Sequence, residues 1–337
     1  MYKDTTKVFD VHGHVSVPQA ANGLLNTMLA SNTPMPSPLR GGGGRGGVSE
    51  DQFREAAAGH VKYMDDRNID VQIIGPRPFL MLGFMEDHLL PYWTGYVNDM
   101  IAQQCRFFPD RFLGAAILPQ ISEAGDLSNC IAELERCVKD YGFIAAYASP
   151  DPGGRRTTPG MHEPYWYPLY EKCVELSLPI IVHGTNALDR RFRVVPHNYQ
   201  LGFLTEQYLA GQFLSHGDVF ERYPDLKVII CHAGGALNRF VPTDPHLAQK
   251  DLSNNLFYDT CAYDRIFLEA AIKQRGVHQM LFGTEAPGSG RAPRPGTNTS
   301  SDDLVPVIGD IDFLSEAEKV EILNEGPAKI FPAFTKV

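Results

Sequence analysis

The chain has 337 residues and a formal net charge of −10, with 43% hydrophobic and 21% charged residues. This composition is typical of a globular protein with a large core, and the absence of a basic cluster argues against nucleic-acid binding. No apolar stretch reaches the 18 or so residues that a membrane span needs. The opening MYKDTTKVFDVHGH lacks the apolar segment of a signal peptide. We therefore expect a cytoplasmic protein that binds neither nucleic acid nor membrane.

Eight short apolar runs recur along the chain, and most are separated by longer segments with helical periodicity. Their nearly continuous apolar character is typical of parallel strands that are buried on both faces. Eight strand–helix repeats predict a single (β/α)₈ TIM-barrel domain over residues 1–337. An open doubly wound sheet is the alternative, but no Gly-rich phosphate loop follows the first run. The runs comprise residues 8–14, 71–76, 112–120, 142–150, 178–184, 226–235, 256–261 and 279–285.

Two long segments interrupt this alternation. Residues 20–48, which contain GGGGRGG, follow the first predicted strand, and residues 286–303 follow the eighth. Both segments therefore lie on the carboxyl side of the strands, where barrel enzymes have their active sites. Each is either a disordered surface loop or a lid over the substrate, and the sequence leaves both interpretations open.

The first strand ends in two histidines, His12 and His14, with Gly13 between them. Residues two apart in a strand point to the same face, so both imidazoles are expected in the barrel interior. Gly13 leaves room beside them. Two imidazoles directed at one point form half of a divalent metal site. By itself, however, this motif is weak evidence, because buried histidines with other partners are common.

Three further polar residues end predicted strands in the same way, namely His183, His232 and Glu285. Because the carboxyl ends of the barrel strands share one face, we expect these side chains to lie near His12 and His14. Packing alone does not account for four histidines and one carboxylate at four strand ends. Other histidines occur in polar helical or turn segments, and we predict that they are solvated: His60, His216 and His278.

The motifs DVHGH, VHG, CHAGG and FGTE, in this order over nearly the whole chain, resemble the amidohydrolase superfamily. The resemblance is strongest to the branch that contains non-oxidative decarboxylases and 4-oxalomesaconate hydratase. It implies one divalent ion, expected to be Zn²⁺, held by His12, His14, His183 and Glu285. Members with two ions use a lysine from strand four, and GFIAAYASP contains none. Most members carry Asp where Glu285 stands, and the Glu is similar to the hydratase.

Glu285 and His232 are the candidate catalytic residues, because a carboxylate and an imidazole beside the ion could move protons on the substrate. Two acidic residues, Asp10 and Asp259, could orient a ligand imidazole. Asp10 precedes His12 by two positions and therefore faces the same side.

The expected substrate is a small anionic carboxylate, because several arginines follow the predicted strands and guanidinium groups pair well with carboxylates. Arg77 and Arg291 are the candidate contacts. Arg193 lies in the loop after His183 and is a weaker candidate, whereas solvation is predicted for Arg190, Arg191 and Arg294. The resemblance adds Tyr199 as a candidate substrate contact. Asn186 is a further candidate, because it lies three residues past His183 and could reach the same pocket.

These residues predict a metal-dependent hydratase that adds water to an unsaturated polycarboxylate of the 4-oxalomesaconate kind in bacterial aromatic-compound catabolism. Alternatives are a non-oxidative decarboxylase of an aromatic carboxylate and a metal-dependent hydrolase of an ester or lactone. A barrel that only binds a ligand is disfavoured, because every expected ligand type is present. We also expect a homo-oligomer, a dimer or larger.

Overall fold

The structure is a computed structural model, and it describes residues 2–18, 49–121, 125–185, 187–188, 192, 200–239, 243–245 and 249–337. The predicted insertion loop at residues 20–48 therefore lies outside the described residues.

Eight parallel strands form one sheet, in which each strand pairs with the next along the chain. All eight strands begin within the predicted apolar runs, and the barrel prediction is confirmed. Each strand is shorter than its run; β1 lacks only the first residue of its run, whereas in the other seven the last residues of the run leave the sheet at the face where the candidate site lies. The strands are β1 (Phe9–His14), β2 (Val71–Gly75), β3 (Phe112–Ile117), β4 (Ala145–Ala148), β5 (Ile180–Val182), β6 (Val228–Ile230), β7 (Leu256–Asp259) and β8 (Met280–Leu281).

Two backbone hydrogen bonds close the barrel between β1 and the residues that follow β8. The amide of Val11 donates to the carbonyl oxygen of Phe282 over 2.9 Å, and the amide of Glu285 donates to that of His12 over 2.8 Å. The second bond joins two residues that the sequence placed at the candidate site. Closure of the barrel therefore also sets the distance between the first and the eighth strand ends.

Helices lie between the strands and at the end of the chain. The first begins at a capping box, in which Ser49 and Gln52 satisfy each other's backbone amides. The α-helices are α1 (Glu50–Asp65), α2 (Pro78–Met81), α3 (Leu90–Phe107), α4 (Ser128–Tyr141), α5 (Tyr167–Glu175), α6 (Gln200–His216), α7 (Val219–Arg222), α8 (Arg265–Arg275), α9 (Val305–Gly309), α10 (Glu316–Val320) and α11 (Gly326–Ile330). Among the described helices, none combines the length and the apolar character needed to cross a bilayer.

The long segment after β8 is packed against the barrel. It contains a short 3₁₀ helix at Ser289–Arg291 and an antiparallel bridge between Pro293 and Ser300. At its end, the buried carboxylate of Asp302 accepts a hydrogen bond from Nε of Arg67 over 2.8 Å. These contacts fix the segment beside the carboxyl ends of β1 and β8.

Candidate metal centre

Four imidazole rings meet at the carboxyl end of the barrel. His12 and His14 end β1, His183 follows β5, and His232 follows β6 after one residue. The ring centroid of His12 lies 5.1 Å from that of His14, 5.1 Å from that of His183 and 5.0 Å from that of His232. All four rings are buried, and His232 is the most exposed at 9%. The structure thus brings together histidines from three strand ends.

Each ring is held at Nδ1 by a different acceptor. Nδ1 of His14 donates to the carbonyl oxygen of Pro76 over 2.8 Å, and Nδ1 of His183 donates to that of Gly184 over 2.7 Å. Because a carbonyl oxygen only accepts, these bonds place the proton on Nδ1. In both rings the second nitrogen, Nε2, therefore carries a lone pair directed into the cluster.

The other two rings are held by side chains. Nδ1 of His12 donates to Oδ2 of Asp259 over 2.7 Å, and Nδ1 of His232 donates to Oε1 of Gln207 over 3.0 Å. Of the two acids predicted to orient a ligand ring, Asp259 makes that contact. Asp10 instead accepts from the backbone amide of His12 and from the hydroxyl group of Thr284, so it ties β1 to the segment after β8.

The four Nε2 atoms are the strongest structural indication of a metal site. All four are buried, and none has a hydrogen-bond partner within the described part of the chain. Ligand atoms of His12, His183 and His232 lie within 4.8 Å of one another, and so do those of His14, His183 and Glu285. Unpartnered buried nitrogens are costly unless a cation or a donor meets them. Imidazoles with a carboxylate fit Zn²⁺ or a similar divalent ion.

Glu285 directs one carboxylate oxygen at this cluster. Its Oε1 lies 3.5 Å from Nε2 of His14 and 3.8 Å from Nε2 of His232. Both candidate catalytic residues have a left-handed backbone, with φ of 59° at Glu285 and 54° at His232. Such a conformation costs of order 1–3 kcal/mol in a residue with a side chain and persists where the surroundings enforce it.

Burial dominates the electrostatics of the site. It lowers the pKa of His14 to about 4 and that of His183 well below the usual value, so both rings are neutral near pH 7. Burial also opposes charge on Glu285, but its contacts with His14 and His232 outweigh this and hold the carboxyl pKa well below normal. At His12, burial lowers the pKa, but contacts with Cys231 and Asp259 raise it by more, so the net shift of the pKa is upward.

Gly13 is required by a close approach. A Cβ atom at this position would lie 2.2 Å from Cδ of Gln72, a side chain on β2. Nε2 of Gln72 donates to Oδ2 of Asp10 over 2.7 Å and to the carbonyl oxygen of Ala286 over 2.8 Å. The space that Gly13 leaves beside the histidines is thus filled by the side-chain amide of Gln72. This amide joins β2 to β1 and to the segment after β8.

Comparison with known proteins identifies the family to which this chain belongs. A family model described as amidohydrolase matches residues 9–333.

The chain belongs to the amidohydrolase family.

The predicted family is confirmed, and with it the prediction that the chain is an enzyme. It is 32% identical over 338 residues to a 2-keto-4-carboxy-3-hexenedioate hydratase of Sphingobium sp. (strain NBRC 103272 / SYK-6), covering 96% of each protein.

Two further relatives represent the two reaction classes predicted from the sequence. A solved structure of 4-oxalomesaconate hydratase from Rhodopseudomonas palustris superposes with a TM-score of 0.79 at 28% identity, covering 98% of this chain and 97% of the other. A gamma-resorcylate decarboxylase of Polaromonas sp. (strain JS666 / ATCC BAA-500) is 28% identical over 251 residues, covering 67% of this chain and 76% of the relative.

This amidohydrolase has a cavity of about 250 Å³ lined by both arginines predicted to contact substrate, Arg77 and Arg291, and by Ser16 and Pro287. Its described lining includes neither Glu285 nor any of the four clustered rings. Nε of Arg77 donates to the carbonyl oxygen of Val15 and Nη1 to that of Pro287. The guanidinium group is therefore oriented by the ends of β1 and β8. Arg291 is exposed, and its guanidinium carbon lies 5.4 Å from the ring centroid of Tyr63. The other residues predicted after His183 lie outside the described part of the chain, namely Asn186, Arg190, Arg191, Arg193 and Tyr199.

Two predictions of solvated side chains are wrong. His60 is only 2% exposed, because α1 turns this face toward β2, and its Nε2 lies 2.7 Å from Oε1 of Gln72. Arg294 is half-buried and donates to the carbonyl oxygens of Tyr263 and Ser301, each over 2.8 Å. His216 and His278 are exposed as predicted.

Sequence reasoning missed several residues that hold or line the centre. Tyr263 and Ser289 donate to Oε2 of Glu285, and Gln207 holds His232. The ring of Tyr147 stacks on His183 with centroids 5.6 Å apart, and its hydroxyl is buried without a partner among the described residues. One signal was available: Gln72 is the single polar side chain in the strand VQIIG.

Proposed function

We propose that this amidohydrolase is a metal-dependent hydratase that adds water across a carbon–carbon double bond of an unsaturated polycarboxylate, in the catabolism of aromatic compounds. The observation that carries the proposal is the pairing of Glu285 with His232 at the imidazole cluster, with 3.8 Å between Oε1 and Nε2. The hydratase that is 32% identical over 96% of the chain supports the same reaction class.

His12, His14, His183 and Glu285 are the proposed ligands of one divalent ion, and Zn²⁺ is the proposed ion. Four unpartnered Nε2 atoms and one oriented carboxylate oxygen support this assignment. When bound, such an ion acts as a Lewis acid that polarises oxygen atoms and lowers the pKa of water. Manganese is the alternative, and metal analysis separates the two.

Glu285 and His232 are the proposed proton carriers. Oε1 of Glu285 faces Nε2 of His14 and of His232, so it is the proposed acceptor of the proton that water loses as its oxygen bonds to carbon. Gln207 fixes the Nδ1 proton of His232, so that Nε2 is the atom that exchanges protons. His232 delivers a proton to the neighbouring carbon, and transfer from Glu285 to His232 over 3.8 Å restores both groups. The product gains the elements of one water: its hydroxyl group comes from the water, its new carbon-bound hydrogen comes from protonated His232, and the second hydrogen of the water reprotonates His232 through Glu285.

Arg77 and Arg291 are the proposed contacts for a remote carboxylate of the substrate, because both line the cavity beside β1. Arg77→Ala is expected to raise KM and leave the bound metal unchanged, since a buried charged contact contributes about 2–5 kcal/mol. Arg106→Ala, at an exposed guanidinium on α3, is the control. An unchanged KM would place Arg77 outside the binding site. Tyr199 and Asn186 remain proposed substrate contacts.

The decisive test follows solvent atoms into the product. The metal-loaded enzyme is incubated with an unsaturated tricarboxylate in H₂¹⁸O or D₂O, and the product is analysed by mass spectrometry and NMR. We expect one ¹⁸O and one carbon-bound deuterium per turnover. Glu285→Gln should abolish both, whereas Glu55→Gln, at an exposed carboxylate on α1, should not. If no ¹⁸O enters and CO₂ is released from an aromatic carboxylate, the hydratase proposal is wrong; carbon-bound deuterium alone does not separate the two reactions, because decarboxylation also puts a solvent proton on carbon.

The decarboxylase is the second candidate, and the relatedness to the Polaromonas decarboxylase favours it. Decarboxylation also needs a proton on carbon, which His232 could deliver. Hydrolysis of an ester or lactone is the third candidate, and a lactone assay tests it. The cytoplasmic location and the homo-oligomeric state stay predictions.

A further inference from the structure

The two oxygens of the Glu285 carboxylate have different surroundings. Oε1 faces Nε2 of His14 and of His232. Oε2 points away from the rings and accepts two hydrogen bonds, from the hydroxyl groups of Tyr263 over 2.9 Å and Ser289 over 2.8 Å. A carboxylate oxygen has two lone pairs, so two donors saturate Oε2.

We propose that Tyr263 and Ser289 are positioning residues that restrict Glu285 to one-oxygen ligation of the metal and so keep a coordination position open for water or substrate. This inference rests on the proposed metal site, but not on the proposed reaction. For Oε2 to bind the ion as well, both hydrogen bonds to a charged acceptor would have to break, and such bonds are stronger than those between neutral groups. A catalytic ion needs an open position, whereas a structural ion has none.

The two donors come from separate parts of the chain, and each is fixed by its own contacts. Tyr263 lies between β7 and α8, and its carbonyl oxygen accepts a hydrogen bond from Nη1 of Arg294 over 2.8 Å. Sγ of Cys261 lies 3.7 Å from its hydroxyl oxygen.

Ser289 is brought to Glu285 by the tight turn after β8. A Cβ atom at Gly290 would lie 2.6 Å from Cζ of Tyr263 and 2.7 Å from Cβ of Asp302. Only glycine therefore lets the 3₁₀ helix Ser289–Arg291 pack against the Tyr263 ring. The predicted strand-eight loop thus supplies one of the two donors directly and, through Arg294, fixes the other.

The test uses Co²⁺ as the probe, because its visible absorption reports coordination number and geometry. Tyr263→Phe, Ser289→Ala and the double variant are compared with wild type in the full-length chain. Glu285→Ala serves as the reference for loss of the ligand. Co²⁺ affinity is measured by competition with a chelator. Tyr141→Phe and Ser128→Ala are matched controls, since each removes a hydroxyl–carboxylate hydrogen bond on the surface, to Asp99 and Asp126.

We expect the double variant to show a weaker absorption band, as a second oxygen joins the coordination sphere. Its Co²⁺ dissociation constant should rise by roughly 10- to 100-fold, as is typical when an outer-shell partner is lost. Ser289→Thr, which keeps a hydroxyl group, should restore the spectrum that Ser289→Ala loses. If the double variant misfolds, the single variants and this rescue decide the question.

A wild-type spectrum and affinity in all three variants would overturn the proposal. So would equal changes in the surface controls. If wild type binds no Co²⁺, both the metal site and this inference fail. If the spectra change as expected but no ¹⁸O from solvent enters the product, only the hydratase proposal fails.

Discussion

The two halves of the barrel wall differ in the residues that fill them. Strands β7, β8, β1 and β2 contain five buried polar or charged side chains, Asp10, His12, His14, Gln72 and Asp259, and four more follow these strands, Ser16, Thr260, Thr284 and Glu285. Strands β3 and β4, with sequences FLGAAI and AAYA, contain alanine at five of ten positions and no charged side chain. We call these the polar half and the alanine half.

Different interactions stabilise the two halves of the barrel. In the alanine half, small side chains let the strands pack closely, and dispersion and burial of apolar surface stabilise them. In the polar half, buried groups pair with groups on other strands, such as Gln72 on β2 with Asp10 on β1 and Asp259 on β7 with His12 on β1. Substitutions in the polar half should therefore change metal binding as well as stability, whereas those in the alanine half should change stability alone.

The largest effect is expected when two rings of the polar half are removed together. His12→Ala/His14→Ala should lose the bound metal and all turnover, because two of four proposed ligands are gone. Metal per chain is measured by elemental analysis after gel filtration. The control is His216→Ala, at an exposed imidazole on α6. Full metal content in the double variant would refute the ligand assignment.

A smaller loss is expected at Asp259, whose Oδ2 accepts from His12 while Oδ1 accepts from the backbone amides of Ala233 and Cys261. Asp259→Asn keeps the shape and removes the charge, so metal affinity should fall roughly 10- to 100-fold. The metal affinity of the variant is measured by competition with a chelator. Asp264→Asn, which alters an exposed helix cap on α8, should leave affinity unchanged. Equal affinities in the two variants would contradict the role of Asp259.

Gly13→Ala tests whether close packing in the polar half affects both stability and metal binding. The added methyl group would displace Gln72 and cost about 1–3 kcal/mol of unfolding free energy, as overpacking generally does. It should also weaken metal binding, because Gln72 joins β2 to Asp10. Ala146→Gly in the alanine half should cost about 1 kcal/mol and leave metal binding intact. Urea unfolding and chelator competition are measured on both. If both variants lose metal equally, the two halves do not differ as described.

The smallest effect concerns pH and His60, which packs against the polar half. Burial lowers its pKa to about 3 in the folded chain, against the usual 6.5. Between these values the unfolded chain binds the extra proton, so stability is complete above about pH 6.5 and falls toward pH 3. The slope contributed by one such group is about 1.4 kcal/mol per pH unit. His60→Gln should show a shallower loss between pH 7 and pH 5 in urea midpoints. An identical slope would mean that His60 does not contribute to it.

Sequence patterns predicted the barrel and the strand-end groups because both depend on local order along the chain. Apolar runs define strands, and the carboxyl ends of parallel strands must share one face, so His183 and Glu285 were expected near His12. The order of the strands in the sheet follows from the same repeat.

The partners of these groups depend on contacts between distant residues, which local patterns do not encode. Asp259 is 247 positions from His12 in sequence, and Gln72 is 62 positions from Asp10. His60 lies in a polar segment of α1, and only packing against β2 shows that its ring is buried. Tyr263 and Ser289 belong to loops, where side-chain direction is set by turns and close packing rather than by periodicity.

Closure of the barrel determines when, during synthesis of the chain, the proposed metal site is complete. The residues that close it, Asp10 and Thr284, are 274 positions apart in sequence. During synthesis, His12 and His14 leave the ribosome long before Glu285, and two rings alone hold a divalent ion weakly. Tight binding must wait until the eighth strand docks beside the first. A nascent or truncated chain therefore lacks part of the proposed ligand set, and tight metal binding is expected only of a barrel that has closed.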